Sequence, residues 1–240
     1  MVTARNAAMA FNRWADRDID ALNPRTRMRE IPSGAIKSSH ALIFVIINSV
    51  VFLISAFQIN SLCFILSPVA LAVVLGYSYT KRYSWLCHLF LGLGLSLAPL
   101  GAYLAVKASF DGLPLLYAIA VLTWVAGFDI IYALQDIVFD QDQQLQSIPA
   151  RFGRKAAQGI SIALHVICAI CIMYATYLLH MRYQLSGGIY FGSAIFIGML
   201  VFQHRIISQG DLSKINLAFF TANGFASVAL AVGIVFDFYC

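Results

Sequence analysis

The stretch Asn12-Arg-Trp-Ala-Asp16-Arg-Asp-Ile-Asp20 decides how the rest of this chain is interpreted. Residues four apart lie on the same side of a helix, so its Asn and two of its Asp residues are predicted to form one polar stripe. A second stretch, Asp129-Ile-Ile-Tyr132-Ala-Leu-Gln-Asp136-Ile-Val-Phe-Asp140, places Asp136 and Asp140 in another stripe. Both acidic stretches border long apolar segments, so their charges need an explanation.

Carboxylates at these positions are costly. An Asp at the centre of a membrane helix costs roughly 2.5 to 3.5 kcal/mol, and like charges one helical turn apart repel each other. A hard divalent cation offsets both effects, and Mg²⁺ typically uses one or two carboxylates and completes its coordination with water and phosphate oxygens. The two stretches therefore predict a Mg²⁺-diphosphate site whose metal ligands are Asp16, Asp20, Asp136 and Asp140.

The composition is that of an integral membrane protein. Of the 240 residues, 60% are hydrophobic and 11% are charged, whereas a soluble domain carries about 25% charged residues. Soluble fold classes are excluded, and the lipid bilayer is the predicted environment. Membrane topology explains most of the net charge of +5, so no nucleic-acid partner is expected.

Seven apolar runs are long enough to cross the hydrocarbon core as helices, which takes about 17 to 25 residues. The predicted fold is all-α, a multi-pass transmembrane helix bundle in which residues 1–240 form a single domain. Residues 2–22 are interpreted as the end of an eighth helix whose beginning is absent, and the first residues do not resemble a signal peptide. The predicted spans are residues 40–58, 61–79, 86–106, 114–135, 159–179, 188–204 and 216–238.

Lys and Arg fall unevenly on the two sides of these spans. Cytoplasmic loops carry an excess of Lys and Arg, and the alternate connections carry only Lys107 and Arg182. The basic side, where both acidic stretches lie, is therefore predicted to face the cytoplasm, or the matrix of an organelle. Its cations are Arg13, Arg17, Arg25, Arg27, Arg29, Lys37, Lys81, Arg82, Arg151, Arg154, Lys155, Arg205 and Lys214.

Two groups of these cations are candidates for binding phosphate. The polar loop 21–38 carries Arg25, Arg27 and Arg29 directly after the first acidic stretch. Arg matches phosphate oxygens with paired hydrogen bonds, so at least one of them could clamp a phosphate; contact with lipid headgroups is the alternative. Lys81 and Arg82 end the second complete span, and the sequence leaves open whether they face the site or the surface.

Polar residues inside the spans have separate interpretations. Asp129 lies about two turns before Asp136, deeper in the membrane, and is predicted to be functional with a neighbouring cation as its partner; a structural ion pair is the alternative. His165 is interpreted as a hydrogen-bonded helix contact, and His88, near a helix end, needs no explanation. The pair Cys168-Ala-Ile-Cys171 is predicted to pack in the core rather than to bind zinc.

One arrangement occurs twice along the chain. A helix that ends in acids is followed by a polar loop with Arg and Lys, and the second copy starts about 120 residues after the first. No stricter repeat is visible in the sequence. The two halves are predicted to face each other across a cavity.

These residues closely resemble the UbiA superfamily of intramembrane prenyltransferases, and within it the 4-hydroxybenzoate polyprenyltransferases. The first family motif, N-x-x-x-D-x-x-x-D, is met by the stretch 12–20, and the second, D-x-x-Y-A-x-x-D-x-x-x-D, by the stretch 129–140. Tyr-x-x-x-Lys81-Arg82 is similar to the family element Y-P-x-x-K-R. The resemblance extends to about residue 155 and is diffuse beyond it.

The resemblance implies a Mg²⁺-dependent aromatic prenyltransferase. Such an enzyme transfers a polyprenyl group from polyprenyl diphosphate to the ring carbon ortho to the hydroxyl of 4-hydroxybenzoate, in ubiquinone or menaquinone biosynthesis. Lys81 would neutralise the diphosphate, Arg82 would bind the acceptor carboxylate, and Asp129 would orient Arg82 or help to remove the ring proton. The implied substrate-binding residues are Asn12, Arg25, Arg29, Lys81, Arg82, Tyr132 and Arg151.

The resemblance also sets expectations about the whole molecule. Family members resemble bundles of nine helices in the bacterial inner membrane, with the active site facing the cytoplasm, so this chain would lack the first helix and most of the second. Gln146 stands where Lys is common in the ubiquinone branch, and Ser147-Ile-Pro-Ala-Arg-Phe-Gly153 looks more like the branch of an alternative menaquinone route.

Three other functions stay open from the sequence. The acceptor could be a dihydroxynaphthoate, a homogentisate or a haem vinyl group. A cation-coupled transporter could also use intramembrane acids, although transport acids usually lie near the bilayer midplane on broken helices. The third possibility is an inactive, truncated product.

Overall fold

The computed structural model describes residues 1–208, 215 and 217–239, and all regular structure within these residues is helical. Lys214, assigned above to the basic side, lies outside them. A 3₁₀ turn, Leu134–Asp136, joins α6 to α7, and a π-helical segment, Leu217–Ala222, precedes α10. The helices are α1 (Val2–Ala15), α2 (Arg17–Leu22), α3 (Ser38–Ile59), α4 (Ser61–Tyr83), α5 (Cys87–Lys107), α6 (Gly112–Ala133), α7 (Ile137–Asp142), α8 (Ile148–Tyr183), α9 (Gly188–Ser208) and α10 (Asn223–Tyr239).

The predicted number of membrane spans is confirmed. Within the described residues, 7 helical segments are long and apolar enough to cross a bilayer. The fifth of them begins at Ile148 rather than near residue 159, because the helix continues past the apolar core into the polar loop. Gly153 interrupts it with a φ of 77°, which is a conformation that glycine adopts without steric cost.

Helix α6 lies between α5 and α8, and small residues let the three backbones approach closely. A Cβ atom added to Gly92 of α5 would lie 2.4 Å from the carbonyl oxygen of Leu122. A Cβ atom added to Gly127 would lie 2.4 Å from the imidazole ring of His165 on α8. Ser161 of α8 also donates a hydrogen bond of 2.7 Å to the carbonyl of Gly127. This close packing fixes where the second acidic stretch leaves the membrane.

The structure shows a stricter internal repeat than the sequence does. Asp16 and Asp136 each stand at a break between a long helix and a six-residue helix, with φ and ψ of −95° and 3° at Asp16 and −105° and 8° at Asp136. The following loops contain glycines with nearly equal positive φ, 79° at Gly34 and 77° at Gly153. The segment from α1 to the loop after α2 thus corresponds to the segment from α6 to the start of α8.

These breaks correct the prediction of two continuous polar stripes. Asp side chains compete with the backbone for hydrogen bonds and are unfavourable inside helices, and each long helix stops just before or at its acidic residue. Asp20 and Asp140 consequently lie on separate short helices, α2 and α7. A short 3₁₀ segment within a helix, as found before α7, often marks a functional hinge.

Candidate active site

Two cationic side chains at the end of α4 contact Asp16. Lys81 Nζ lies 2.8 Å from Asp16 Oδ2, and Asn12 Nδ2 donates to the same oxygen at 3.0 Å. Arg82 Nη2 lies 3.8 Å from Asp16 Oδ1 and donates to the carbonyl of Ala15. Lys81 and Arg82 therefore both face the acidic stretch rather than the surface, which the sequence left open.

The loop after α2 folds back and contacts Asp20. Arg29 Nη1 lies 2.8 and 2.9 Å from the two carboxylate oxygens of Asp20, which is buried. Thr26 Oγ1 donates to the carbonyl of Asp20 at 3.1 Å. Because the loop is fixed to α2 at these points, Asn23 and Arg25 can reach across the bundle to Asp136.

Arg25 joins the two acidic stretches. Its guanidinium donates to both carboxylate oxygens of Asp136 and, at 2.8 Å, to the hydroxyl of Tyr132. Asn23 Nδ2 also donates to Asp136, at 3.3 Å. Burial alone would lower the pKa of Arg25, but its hydrogen bonds and charge interaction with Asp136 raise that pKa above the ordinary value. Arg25 and Arg29 each pair with an aspartate, whereas Arg27 is exposed and has no ion pair among the described residues, so two of the three loop arginines face the site.

Asp140 completes the group. Its carboxylate accepts a hydrogen bond of 2.8 Å from Ser147, and the charges of Asp136, Lys81 and His88 act on it. The backbone N–H of Gln146 donates to the carbonyl of Lys81 at 2.7 Å, which closes the loop over α4. We call this end of the bundle, with its four aspartates, the acidic chamber; its acids are Asp16, Asp20, Asp136 and Asp140.

The chamber fits a small, hard cation bound together with an anion. Within the described part of the chain no three His, Cys, Asp or Glu side chains lie close enough to hold a metal ion by themselves, because protein cations stand between the acids. Mg²⁺ does not need such a cluster, since it uses one or two carboxylates and takes other ligands from water and phosphate. Asp16 Oδ1 is buried and accepts no hydrogen bond, and the same holds for the donor Arg82 Nε. A metal ion would satisfy the first of these atoms, and an oxygen of an anionic ligand would satisfy the second.

Asp129 has a partner that sequence reasoning missed. His88 Nδ1 lies 2.7 Å from Asp129 Oδ2, and the side chain of His88 is 3% exposed. The cation expected beside Asp129 is thus an imidazole, and Arg82 contacts Ala15 and Asp16 instead. Orientation of Arg82 by Asp129 is not seen. An unpaired acid inside a span requires a polar partner, which was the signal that could have identified His88 in the first turn of α5.

Arg151 lies apart from the carboxylates. It is exposed, and its guanidinium lies 5.7 Å from the ring centre of Trp85 and 5.5 Å from that of Phe152. Among the described residues it forms no ion pair. Arg151 lies in the first turn of α8, which would have to move for this side chain to reach the chamber.

The buried histidine on α8 has a structural role. His165 contacts the carbonyl of Trp124 at 3.1 Å and the ring of His204 at 2.8 Å, in agreement with its interpretation as a helix contact. Cys168 is a free thiol in the apolar core. Neither residue belongs to the chamber.

Comparisons with known proteins agree with this geometry. A family model described as "UbiA prenyltransferase family" matches residues 1–225. The chain is 30% identical over 238 residues to a protein of Nitrosomonas eutropha named "4-hydroxybenzoate octaprenyltransferase", covering 98% of this chain and 80% of that protein. A protein of the same name from Pseudomonas fluorescens is 29% identical, with 99% and 78% covered.

Solved structures share the fold. The apo structure of a UbiA homolog from Aeropyrum pernix K1 matches with a TM-score of 0.88 and 33% identity, over 99% of this chain and 86% of that one. A UbiA homolog from Archaeoglobus fulgidus bound to DMAPP and Mg²⁺ matches with a TM-score of 0.68 and 20% identity, over 100% and 88% of the two chains. At that identity the second likeness shows the fold alone.

Proposed function

Since this chain belongs to the UbiA prenyltransferase family, we propose that it transfers a polyprenyl group from polyprenyl diphosphate to the ring carbon ortho to the hydroxyl of 4-hydroxybenzoate. One observation carries the proposal: Arg25 bridges the two acidic stretches, so that all four aspartates and their cations share one chamber. The names of the curated relatives support the acceptor.

The aspartates of the chamber would hold Mg²⁺. Asp16 and Asp136 stand at equivalent helix breaks, and Asp20 and Asp140 follow each of them by four residues. When bound, Mg²⁺ neutralises negative charge on the diphosphate and so favours departure of that group. The fold holds these carboxylates close to Lys and Arg side chains that could bind phosphate oxygens.

The chamber cations would bind the diphosphate. Lys81, Arg29 and Arg25 each pair with an aspartate, and each could exchange that carboxylate for a phosphate oxygen once the acids have another partner. As the C–O bond breaks, negative charge builds on the leaving group, so cations aimed there stabilise the transition state more than the ground state. Arg151 would join them from the first turn of α8.

The aromatic acceptor would lie deeper, between α4 and α6. Arg82, whose Nε has no hydrogen-bond acceptor, would bind its carboxylate, and Asn12 and Tyr132 would line the same space. The ring carbon ortho to the phenol attacks the allylic cation, and Asp129 takes the proton that this carbon loses. Apolar helices around the prenyl tail exclude water, which would otherwise capture the cation as an alcohol.

The setting of this reaction is also part of the proposal. The product belongs to ubiquinone or menaquinone biosynthesis, and the basic end of the bundle faces the cytoplasm of a bacterial inner membrane.

A transfer assay tests the function. Purified protein in nanodiscs is given Mg²⁺, a prenyl diphosphate and, in parallel, 4-hydroxybenzoate, a dihydroxynaphthoate, homogentisate or haem. With 4-hydroxybenzoate and Mg²⁺ we expect a prenylated product and released diphosphate. Without Mg²⁺ we expect neither. If product forms only with another acceptor, that acceptor replaces 4-hydroxybenzoate as the assigned substrate. Ion flux that does not depend on prenyl diphosphate would favour a transporter.

A further inference from the structure

The buried His88 connects Asp129, which lies deeper in the membrane than the acidic chamber, to the start of α8. His88 lies in the first turn of α5, and its Nδ1 is 2.7 Å from Asp129 Oδ2 on α6. Its other ring nitrogen, Nε2, is 3.4 Å from the backbone nitrogen of Ile148 at the start of α8. The adjacent Cys87 Sγ is 3.3 Å from the carbonyl oxygen of Gln146. The start of α5 is thus joined to two other elements.

The contact with Asp129 places a proton on Nδ1 of His88. An ionised carboxylate can only accept a hydrogen bond, and Nδ1 lies 2.7 Å from Asp129 Oδ2, so Nδ1 donates to Asp129. The contact between Nε2 and the backbone nitrogen of Ile148 is longer, at 3.4 Å.

Asp129 is held at one oxygen and open at the other. Within the described residues, its carboxylate is hydrogen-bonded to His88 through Oδ2. The side chain is 24% exposed, and its charge and that of Asp16 both act on the hydroxyl of Tyr77. Oδ1 is therefore left to accept a hydrogen bond or a proton.

We propose that His88 is a positioning residue that fixes Asp129 as the base for the aromatic acceptor. This inference rests on the proposed function. After the ring carbon has bonded to the prenyl group, its C–H proton passes to Oδ1 of Asp129, the C–H electron pair returns to the ring, and the carboxylate becomes a carboxylic acid. The Nδ1–H of His88 keeps Oδ2 in place and sets the direction of Oδ1.

The contact with Ile148 also links His88 to the loop before α8. Ile148 follows Ser147, which donates a hydrogen bond to Asp140.

Four variants test the proposal. His88→Leu removes both ring bonds, His88→Asn keeps an N–H donor close to the position of Nδ1, and Asp129→Asn removes the base. His40→Ala is the control, since His40 is an exposed histidine at the same end of the bundle. Each is assayed in nanodiscs with prenyl diphosphate and 4-hydroxybenzoate, alongside its thermal unfolding.

We expect His88→Leu to lower kcat for the aromatic acceptor by about 10- to 100-fold, because a misplaced base loses part of the 10²- to 10⁴-fold that general bases contribute. KM for prenyl diphosphate should change little, and His88→Asn should restore much of the rate. With ring-deuterated acceptor, the isotope effect on kcat should rise from about 1 to about 2 or more as proton removal becomes slow. In the Asp129→Asn background, His88→Leu should have little further effect.

Other outcomes overturn the proposal. Equal losses for both substrates without an isotope effect, or full additivity of the two substitutions, would show that His88 only stabilises the fold. Failure of the wild-type protein to prenylate any aromatic acceptor would instead refute the proposed function. The two failures are therefore distinguishable.

Discussion

Replacing Lys81 by Met removes the cation closest to Asp16 and keeps most of the aliphatic stem. Lys81 Nζ lies 2.8 Å from Asp16 Oδ2, and the side chains are 31% and 3% exposed, respectively. Loss of one partner from a fully buried ion pair costs about 3 to 5 kcal/mol. Lys81 is partly hydrated, and Asn12 and Arg82 stay beside the carboxylate, so we expect a loss of about 2 kcal/mol in the free energy of unfolding. That corresponds to a decrease of roughly 4 to 8 °C in Tm.

The assay is thermal unfolding in nanodiscs with and without Mg²⁺. A ligand that binds only the folded state raises its stability, and Asp16 without its protein cation should bind Mg²⁺ more readily. The Lys81→Met variant should therefore gain more from Mg²⁺ than the wild type does, and Asp16→Asn in the same chain should recover most of the lost stability. Lys155→Met, at an exposed lysine near the same end, is the control. An unchanged Tm and an unchanged response to Mg²⁺ would refute this account of the ion pair.

The remaining predictions concern the site and the packing of α6. Asp136→Ala should abolish Mg²⁺-dependent turnover while the protein still inserts into membranes, and normal turnover would disprove its role as a ligand. Arg82→Ala should raise KM for the aromatic acceptor more than KM for prenyl diphosphate, which steady-state kinetics with each substrate varied would reveal; equal changes would reject the assignment. Gly127→Ala should lower stability by about 1 to 3 kcal/mol, because the new Cβ would meet the ring of His165 at 2.4 Å. Gly159→Ala is its control, since nothing lies within 4 Å of that position and a helical Ala is favoured by about 1 kcal/mol; equal thermal shifts for the two would exclude the clash.

Much of the fold could be predicted from the sequence because membrane spans have a strong compositional signal. The run of apolar residues from 38 to 59 and the six that follow are each too long for a buried strand and too hydrophobic for a surface helix. The distribution of Lys and Arg placed both acidic stretches at one end of the bundle. Arg25, which bonds to Asp136 across 111 residues of sequence, shows that the two stretches do meet there.

The helix breaks could not be predicted in the same way. The spacing of Asp16 and Asp20 is four residues whether the helix continues or stops, so the pattern alone does not distinguish the two cases. A tertiary contact distinguishes them, because Lys81 of α4 binds the Asp16 carboxylate at the break. The same spacing argument applies to Asp136.

Partners between distant segments were also beyond the sequence. Asp129 needed a polar neighbour, but Arg82 and His88 lie on adjacent helices at similar depth, and only their contacts show that His88 takes this place. Among the loop arginines, composition could not distinguish Arg27, which is exposed, from its two inward-facing neighbours. Side-chain direction in a turn depends on a few backbone angles that residue types do not determine.

Three of the ion pairs in the chamber also bear on how the protein is made. A newly synthesised chain enters the membrane before any lipid substrate reaches it, and its acids then have only the chain itself to balance them. Lys81, Arg29 and Arg25 provide that balance, so assembly does not depend on the supply of metal. Cells starved of Mg²⁺ should accumulate folded, membrane-inserted protein that stays idle until the ion returns.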